Sequence, residues 1–369
     1  MRSKTVLLVT PMLIPYKRGA AIYHSSLLNH LAKKTNIIVL TQAHKGKAII
    51  ERNKKLNIYR ALPPNLLEAP IPVRWATLII LFPFVLFYLL AKYHPDVIHL
   101  HSSTPLTRIS LILIRFLNIP VILDVRDEYF TDLPIKISNI QRYIAASRAI
   151  SRKLQSYGIP KEKIVFHGVL NPPIVNEIAN DLGRRKSKEK VHTRFIFVGA
   201  LSKTKGVETL LEAFKQAYGQ NSEIKLSMIG EGKMRPFCER FLLENNLGKN
   251  VEIIGELNYR EVLRQIALSD VLILPSKSEG ISRVVIESLE LGTPVLASKI
   301  GGLNEVIEHR WNGILVHPPD KNNFAKWILE LTENESLRSK LASNTKKSET
   351  NTLTWEEISA SFREIYENS

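Results

Sequence analysis

The sequence predicts an α/β protein built from two doubly wound parallel-sheet domains, and three observations carry that prediction. At 369 residues the chain is long enough for two domains of ordinary size, each with its own core. Short apolar runs alternate with helix-length amphipathic segments along the whole chain, the pattern of parallel strands covered on both faces. Near the middle, NPPIVNEIANDLGRRKSKEKVHT (171–193) breaks the alternation with paired prolines and a dense charge run, which marks a linker. The predicted domains are 1–170 and 171–353, with 354–369 a separate C-terminal piece.

In the first domain TVLLVT, NIIVLT, DVIHLHS, PVILDV and YIAAS read as strands, and helices are predicted near 19–34, 75–92, 105–117 and 147–157. The start, MRSKTVLLVTP, has a basic end but only four apolar residues before Thr10 and Pro11, so it reads as the first strand and not as a signal peptide. In the second domain FIFVG, KLSMIG, VEIIG, DVLILP, PVLAS and GILV read as strands. Helices are predicted there near 206–218, 233–246, 258–268, 282–291, 303–309 and 321–332. The last segment, TWEEISASFREIYEN (354–368), is amphipathic and is expected to lie back across the first domain. Cys238 is the single cysteine, which excludes an intramolecular disulfide and a multi-cysteine metal site and leaves an ordinary reduced thiol.

Charge is divided unevenly. Residues 1–185 hold 26 Lys and Arg against 10 Asp and Glu, whereas 186–369 hold 25 against 25, so the net charge of +16 belongs to the first half. Such a one-sided field favours an anionic partner, either nucleic acid or a phospholipid surface. WATLIILFPFVLFYLLA (75–91) is a 17-residue stretch without a charge, bracketed by Arg74 and Lys92. It is short for a bilayer span of about 20 residues and has Pro83 at its centre, which leaves three readings: a buried core helix, a membrane-docking helix, or a marginal span. Its aromatic residues Trp75, Phe82, Phe84, Phe87 and Tyr88 cluster with aliphatics and not among Arg and Lys, so a nucleic-acid stacking platform is not indicated. The expected partner is an anionic membrane surface, not nucleic acid.

The chemistry is concentrated at strand ends of the second domain. FIFVGALSKTKGVETLLEAF (195–214) runs from strand to helix through Gly199, Lys203, Lys205 and Gly206. Glycine lets backbone approach a ligand, and lysine sets a point charge near a helix N-terminus, where a phosphate would sit. The spacing fits neither GxGxxG nor the P-loop, and two solvated lysines in a turn remain the alternative. KLSMIGEGKM adds Gly230 and Gly232, and SKIGGLNEV places Gly301 and Gly302 ahead of a short helix. SEGISRVVIESLELGTPVLAS (278–298) carries Glu279 in a loop and Glu287 eight residues on, in a helix that Ser282 caps and Gly292 and Pro294 stop. Val284, Val285, Ile286 and Leu289 form the predicted buried stripe, which sets Glu287 at its edge. The two carboxylates are either surface charges or two arms on one extended ligand.

EGISRVVIE, followed by LGTPVLAS, by Gly301-Gly302-x-x-Glu305 and by NGILV, resembles the signature of retaining glycosyltransferases of family 4, which have the GT-B fold. Further matching pieces in the same order are the early Gly19 loop, PDVIHLHS, the strand before Arg126 and Asp127, YIAASRAISRKLQSYGIPKEKI, VGALSKTKG, IGEGKMR and LPSKSEG. The resemblance implies two Rossmann-like domains facing a central cleft, the first binding the acceptor and facing the membrane, the second binding a nucleoside diphosphate sugar. By the same resemblance Lys205 would pair with the diphosphate, joined by N–H groups near Gly301 and Gly302, and Glu287 would accept from ribose hydroxyls. Glu279, counted with Arg126 and Asp127 as catalytic, and the backbone of Gly280, Ile281 and Ser282 would hold the sugar. Gly19, Gly199, Lys203 and Gly230 complete the implied donor-binding set. Arg126 would aid the developing charge and Asp127 orient the acceptor, with internal salt bridges as the structural alternative for both. No D-x-D occurs in the chain, and no metal or other cofactor is expected, since lysine and helix ends can balance the leaving diphosphate.

The implied activity is a retaining, metal-independent hexosyltransferase that acts on a lipid-linked or membrane-proximal glycan in polysaccharide or glycolipid biosynthesis. Its expected location is cytoplasmic, peripheral on the cytoplasmic face of the membrane. Two alternatives stay open at this point. One is an inverting enzyme with Asp127 as base. The other is a nucleotide-sugar-binding pseudoenzyme, motivated by Ala200 where family members commonly carry Arg.

Overall fold

The computed structural model describes residues 3–11, 13–15, 19–64, 70–101, 105–126, 130, 135, 136, 139–166, 169, 170, 175, 177, 178, 192–279, 282–317, 319–345 and 352–369. The chain forms two compact units, Met1–Leu170 with Leu353–Ser369, and Asn171–Thr352.

The first unit is built on eight strands: β1 (Thr5–Val9), β2 (Asn36–Gln42), β3 (Ile50–Asn53), β4 (Leu56–Leu62), β5 (Val97–His101), β6 (Val121–Val125), β7 (Ile140–Ala145) and β8 (Ile164–Phe166). Their order is β3-β4-β2-β1-β5-β6-β7-β8, parallel throughout except for the antiparallel edge pair β3 and β4. A two-residue strand, β9 (Val169–Leu170), ends this part of the chain. Strand order reverses at β1, which lies between β2 and β5.

Side chains alternate across β1, so each face has its own core. Leu7 and Val9 join Phe82, Leu86 and Leu89 on one face; Val6 and Leu8 join Leu27, Leu28 and the C-terminal residues Trp355, Ile358 and Phe362 on the other. Among the described residues the α-helices of this unit before β9 are α1 (Gly19–Leu31), α2 (Ile71–Ala76), α3 (Phe82–Tyr93), α4 (Pro105–Ile114) and α5 (Arg148–Ser156).

Residues 71–93 differ from the single helix predicted near 75–92. A π-helical turn, Thr77–Leu81, separates α2 from α3. Pro83, in the first turn of α3, has no N–H to give a carbonyl one turn back, and a widened turn just upstream accommodates that loss. Thr77, Leu78, Phe82, Leu86, Leu89 and Leu90 are buried, while Trp75, Ile79, Ile80, Phe84, Phe87 and Tyr88 are exposed. One face is core and the other is open. Among the described residues no helix is long and apolar enough to cross a membrane.

The second unit has six parallel strands: β10 (Thr193–Val198), β11 (Ile224–Ile229), β12 (Val251–Gly255), β13 (Val271–Leu274), β14 (Val295–Ser298) and β15 (Gly313–Val316), in the order β12-β11-β10-β13-β14-β15. Helices α6 (Val207–Tyr218), α7 (Arg235–Glu244), α8 (Tyr259–Leu268), α9 (Arg283–Glu290), α10 (Lys321–Glu333) and α11 (Glu335–Thr345) connect and flank them. The order reverses between β10 and β13, and because all six strands run parallel their carboxyl ends share one edge. In an open α/β sheet that reversal is where ligands bind. The helix predicted near 303–309 is instead a five-residue 3-10 turn, Gly301–Glu305.

The final helix, α12 (Trp355–Glu367), starts on a capping box in which Thr354 and Glu357 satisfy each other's backbone N–H groups. It buries Trp355, Ile358, Phe362 and Tyr366 against the first unit's sheet.

Candidate functional site

Two neighbouring strand ends of the second unit are pressed together by a glycine. Gly206, the N-cap of α6, has φ 69°, and a Cβ there would lie 1.9 Å from the backbone oxygen of Pro275, just beyond β13. Lys277 N–H donates to Thr204 O at 2.8 Å and fastens the same junction. That approach brings Lys205 and Glu279 into an ion pair, Nζ to Oε1. The buried Ser276 hydroxyl also donates to Glu279 Oε1, at 2.8 Å. Among the described residues Glu279 Oε2 takes no hydrogen bond. Lys205 keeps 27% of its side chain exposed and Glu279 9%, so the pair lies at the surface of the strand ends with one carboxylate oxygen to spare.

Gly230 plays the matching part between β10 and β11. Its φ is 137°, and a Cβ would lie 1.9 Å from Gly199 O, so the ends of these two strands approach as closely as backbones can. Lys203 is exposed, and its carbonyl accepts from Gly206 N–H at 3.2 Å. Ala200 is exposed as well.

Glu287 departs from the sequence expectation. It is buried, 5% exposed, and does not sit at the edge of the packed face. Its Oε1 accepts from the Tyr259 hydroxyl at 2.8 Å and from Arg283 Nη2 and Nε at 2.6 and 3.2 Å. Burial works against the charge of Arg283, but Glu287 and Tyr259 together outweigh it and hold the guanidinium above its usual pKa. Burial, with the Glu287 charge, pushes the Tyr259 hydroxyl far up, so Tyr259 stays a donor. Among the described residues Oε2 of Glu287 accepts nothing. Neither Tyr259 nor Arg283 figures in the sequence reading, although Arg283 stands four residues before Glu287, the spacing of a helical ion pair.

Ser282 is the N-cap of α9 in extended conformation, but its side chain caps nothing. Gly301, with φ 46°, and the buried Gly302 open the 3-10 turn after β14. Gly280 and Ile281 lie outside the described residues, as does Asp127 in the first unit.

In that first unit Gly19 begins α1, and Arg126 follows β6. Arg126 Nε lies 2.8 and 3.0 Å from the two oxygens of Asp124, and its guanidinium stacks 3.7 Å over the Tyr23 ring. The internal salt bridge foreseen as the structural alternative is present, though Arg126 keeps 25% of its side chain exposed. Asp124 escaped the sequence reading. The available signal was a carboxylate in the otherwise apolar strand PVILDV.

Two doubly wound units in tandem define the GT-B class, and solved members of it match the chain nearly end to end. Sucrose-phosphate synthase from Thermosynechococcus elongatus aligns at TM-score 0.79 with 19% identity, covering 99% of this chain and 98% of that one. The Anabaena protein HepE in complex with UDP-glucose aligns at 0.74 with 18% identity, covering 99% and 100%.

The chain belongs to glycosyltransferase family 4: residues 17–166 match the model described as Glycosyltransferase Family 4, and residues 180–348 match Glycosyl transferases group 1. An uncharacterized glycosyltransferase of Methanocaldococcus jannaschii is 28% identical over 284 residues, 74% of this chain and 75% of that protein. A second one from the same organism is 29% identical over 230 residues, 60% of this chain and 59% of its own length.

Proposed function

We propose that this glycosyltransferase moves a hexose from a nucleoside diphosphate sugar to a hydroxyl of a lipid-linked or membrane-proximal glycan, with retention and without a metal. The observation that carries the reading is the pair of Lys205 and Glu279 beside the β10 and β13 carboxyl ends, with Glu287 in the helix that follows β13 and one oxygen of each carboxylate left to accept. An ionised carboxylate is acceptor-only and suits ligand hydroxyls. Glu287 is assigned the ribose; Glu279 the transferred sugar, with the backbone of Gly280, Ile281 and Ser282. Lys205, with Lys203 and the N–H groups at Gly301 and Gly302, is assigned the diphosphate, where it would leave Glu279 for the phosphate oxygens. Gly199 and Gly230 give the donor room against backbone. The structure of HepE with UDP-glucose supports a donor of this class.

In the chemical step the leaving phosphate takes the acceptor proton on the face it departs from, and the enzyme supplies position and charge. Arg126, at the end of β6, is assigned the charge that develops, and Asp127 the acceptor hydroxyl.

The purified protein, given membrane lipids and UDP-, GDP- and ADP-sugars, should be thermally stabilised by one nucleotide. From that donor it should transfer the sugar with its anomeric configuration kept, as read by NMR of the product, and EDTA should not slow it. Inversion, or stabilisation without transfer, would reject the reading. Glu279→Gln should lower kcat by about 100-fold, the size of a lost charge-stabilising contact. Lys205→Ala should raise the donor KM as well. Wild-type kinetics in both would remove the site assignment.

The open face of 71–93 supports the membrane part. Trp75, Ile80 and Phe84 are 50, 71 and 73% exposed, and the ridge ends at Lys92, which donates to Tyr88 at 3.0 Å and stands over the rings of Tyr59 and Tyr93. Aromatic hydroxyls and lysine beside an apolar ridge suit the headgroup level of a bilayer, and the excess positive charge of this half suits anionic lipid. The protein is placed by this reading at the cytoplasmic face. Flotation with anionic vesicles is expected, weakening at high salt. Ile80→Asp and Phe84→Asp should abolish it without lowering Tm; flotation indifferent to both changes would reject this surface.

A further inference from the structure

Beneath Arg126 lies a group of buried polar side chains for which the proposed chemistry has no use. Asp124 of β6 is fully buried and holds the Arg126 guanidinium. His24 of α1 and His99 of β5, both buried, each bring Nε2 to 4.0 Å from Asp124 Oδ2, packed beside the carboxylate but too far for a hydrogen bond. Behind His99, its Nδ1 lies 2.8 Å from the hydroxyl of Tyr366, in α12. Phe362, one turn before, stacks on the same imidazole at 5.4 Å. Four elements that the sequence separates widely, α1, β5, β6 and α12, thus meet around one carboxylate.

Stability does not account for it. A carboxylate in the middle of a two-faced apolar strand is costly to desolvate, and a well-packed apolar residue at such a place commonly serves stability as well or better. What a carboxylate does at this register is hold a side chain. Arginine has rotamer freedom to lose, and here Asp124 on one side and the Tyr23 ring on the other remove it before any ligand arrives. The guanidinium so fixed stands at the carboxyl edge of the sheet, two strands from the order reversal at β1.

Tyr366 completes the arrangement. Burial, with the Asp124 charge, drives its hydroxyl well above the usual tyrosine range, so it keeps its proton. Its oxygen lies 2.8 Å from Nδ1 of His99, whose other ring nitrogen lies 4.0 Å from Asp124 Oδ2.

We propose that Asp124 is the positioning residue for Arg126, and that Tyr366, through His99, braces Asp124, which makes the C-terminal helix a working part of the first unit's site. This rests on the reading of Arg126 as the group that meets developing charge. The chain reaches α12 only after completing the second unit, so the brace closes last in sequence.

The test uses the full-length chain, the donor selected from the nucleotide-sugar panel, and kcat, donor KM and Tm for Arg126→Ala, Asp124→Asn, their double variant and Tyr366→Phe. Arg126→Ala should lower kcat by about 100-fold. Asp124→Asn should lower it by at least about tenfold with the donor KM within about twofold, and the double variant should be no worse than Arg126→Ala, because groups acting as a unit are not additive. Tyr366→Phe removes one hydroxyl from an otherwise intact ring and should lower kcat about threefold at unchanged KM.

A purely structural role would lower Tm and leave kcat per folded molecule at the wild-type value, which overturns the proposal. Arg126→Ala with wild-type kcat overturns the underlying reading instead. If Asp124→Asn does not fold, Tyr366→Phe decides: a loss of kcat at unchanged Tm supports the brace, and wild-type kcat overturns it.

Discussion

Replacing Glu287 by alanine is expected to destabilise the second unit by on the order of 3 kcal/mol, the low end for a broken buried ion pair. The low end applies because Arg283 keeps 23% of its side chain in solvent, whereas Glu287 keeps 6%. The alanine variant leaves the guanidinium and the Tyr259 hydroxyl without the oxygen that both now share. Its loss of donor binding alone would not separate a ribose contact from a damaged fold. Glu287→Gln separates them, since it keeps an acceptor for Tyr259 and Arg283 and removes the negative charge.

The clean measurement is discrimination between the chosen nucleoside diphosphate and its 2′,3′-dideoxy counterpart, by thermal shift or calorimetry. Hydrogen bonds to a charged group contribute about 1.5–3 kcal/mol, so the wild type should prefer the ribose form by roughly 10- to 100-fold. Glu287→Gln should lose most of that preference while still folding. Undiminished preference in the glutamine variant would take the ribose away from Glu287.

That residue also shows what the sequence could and could not reveal. Of the predicted stripe on α9, Val285, Ile286 and Leu289 are buried, whereas Val284 is only half-buried. Glu287 is buried with them because Tyr259 and Arg283 form a polar niche within that face, and a helical period cannot show what stands opposite it. Most of the parallel strands were legible because each is a short apolar run, largely buried; β8 (Ile164–Phe166), parallel but partly exposed, was not named from the sequence.

The edge strand β3 (IERN) was not legible, since all four of its residues are exposed and two are charged. Its partner β4 was hidden by the polar residues of LNIYRAL. The run 75–91 was readable as apolar but not as two-faced; which residues pack depends on where β1 and β5 place their side chains and on the π turn before Pro83. Asp124 was visible as a charge in PVILDV, yet the two histidines near it come from separate elements, and only the sheet order brings them to it.

Gly206→Ala is expected to disrupt the proposed donor site more than any side-chain truncation in it. Two costs add. An alanine at φ 69° enters the left-handed region, about 1–2 kcal/mol. Its Cβ would meet Pro275 O at 1.9 Å and Pro275 C at 2.7 Å, and because the obstacle is backbone at the end of β13, no rotamer change relieves it. The β10 loop and the β13 end must part by more than an ångström. That separation pulls on the Lys277 to Thr204 bond and draws Lys205 away from Glu279.

If the total reaches about 3 kcal/mol, Tm should fall by roughly 6–12 °C at about 2–4 °C per kcal/mol for a unit of this size. The thermal shift given by nucleotide should fall with it. Gly248→Ala is the control, since a Cβ there meets nothing within 4 Å, and it should leave both quantities at their wild-type values. A Gly206→Ala protein with wild-type Tm and nucleotide response would mean that the two strand ends do not meet as described, and the pairing of Lys205 with Glu279 would fall with them.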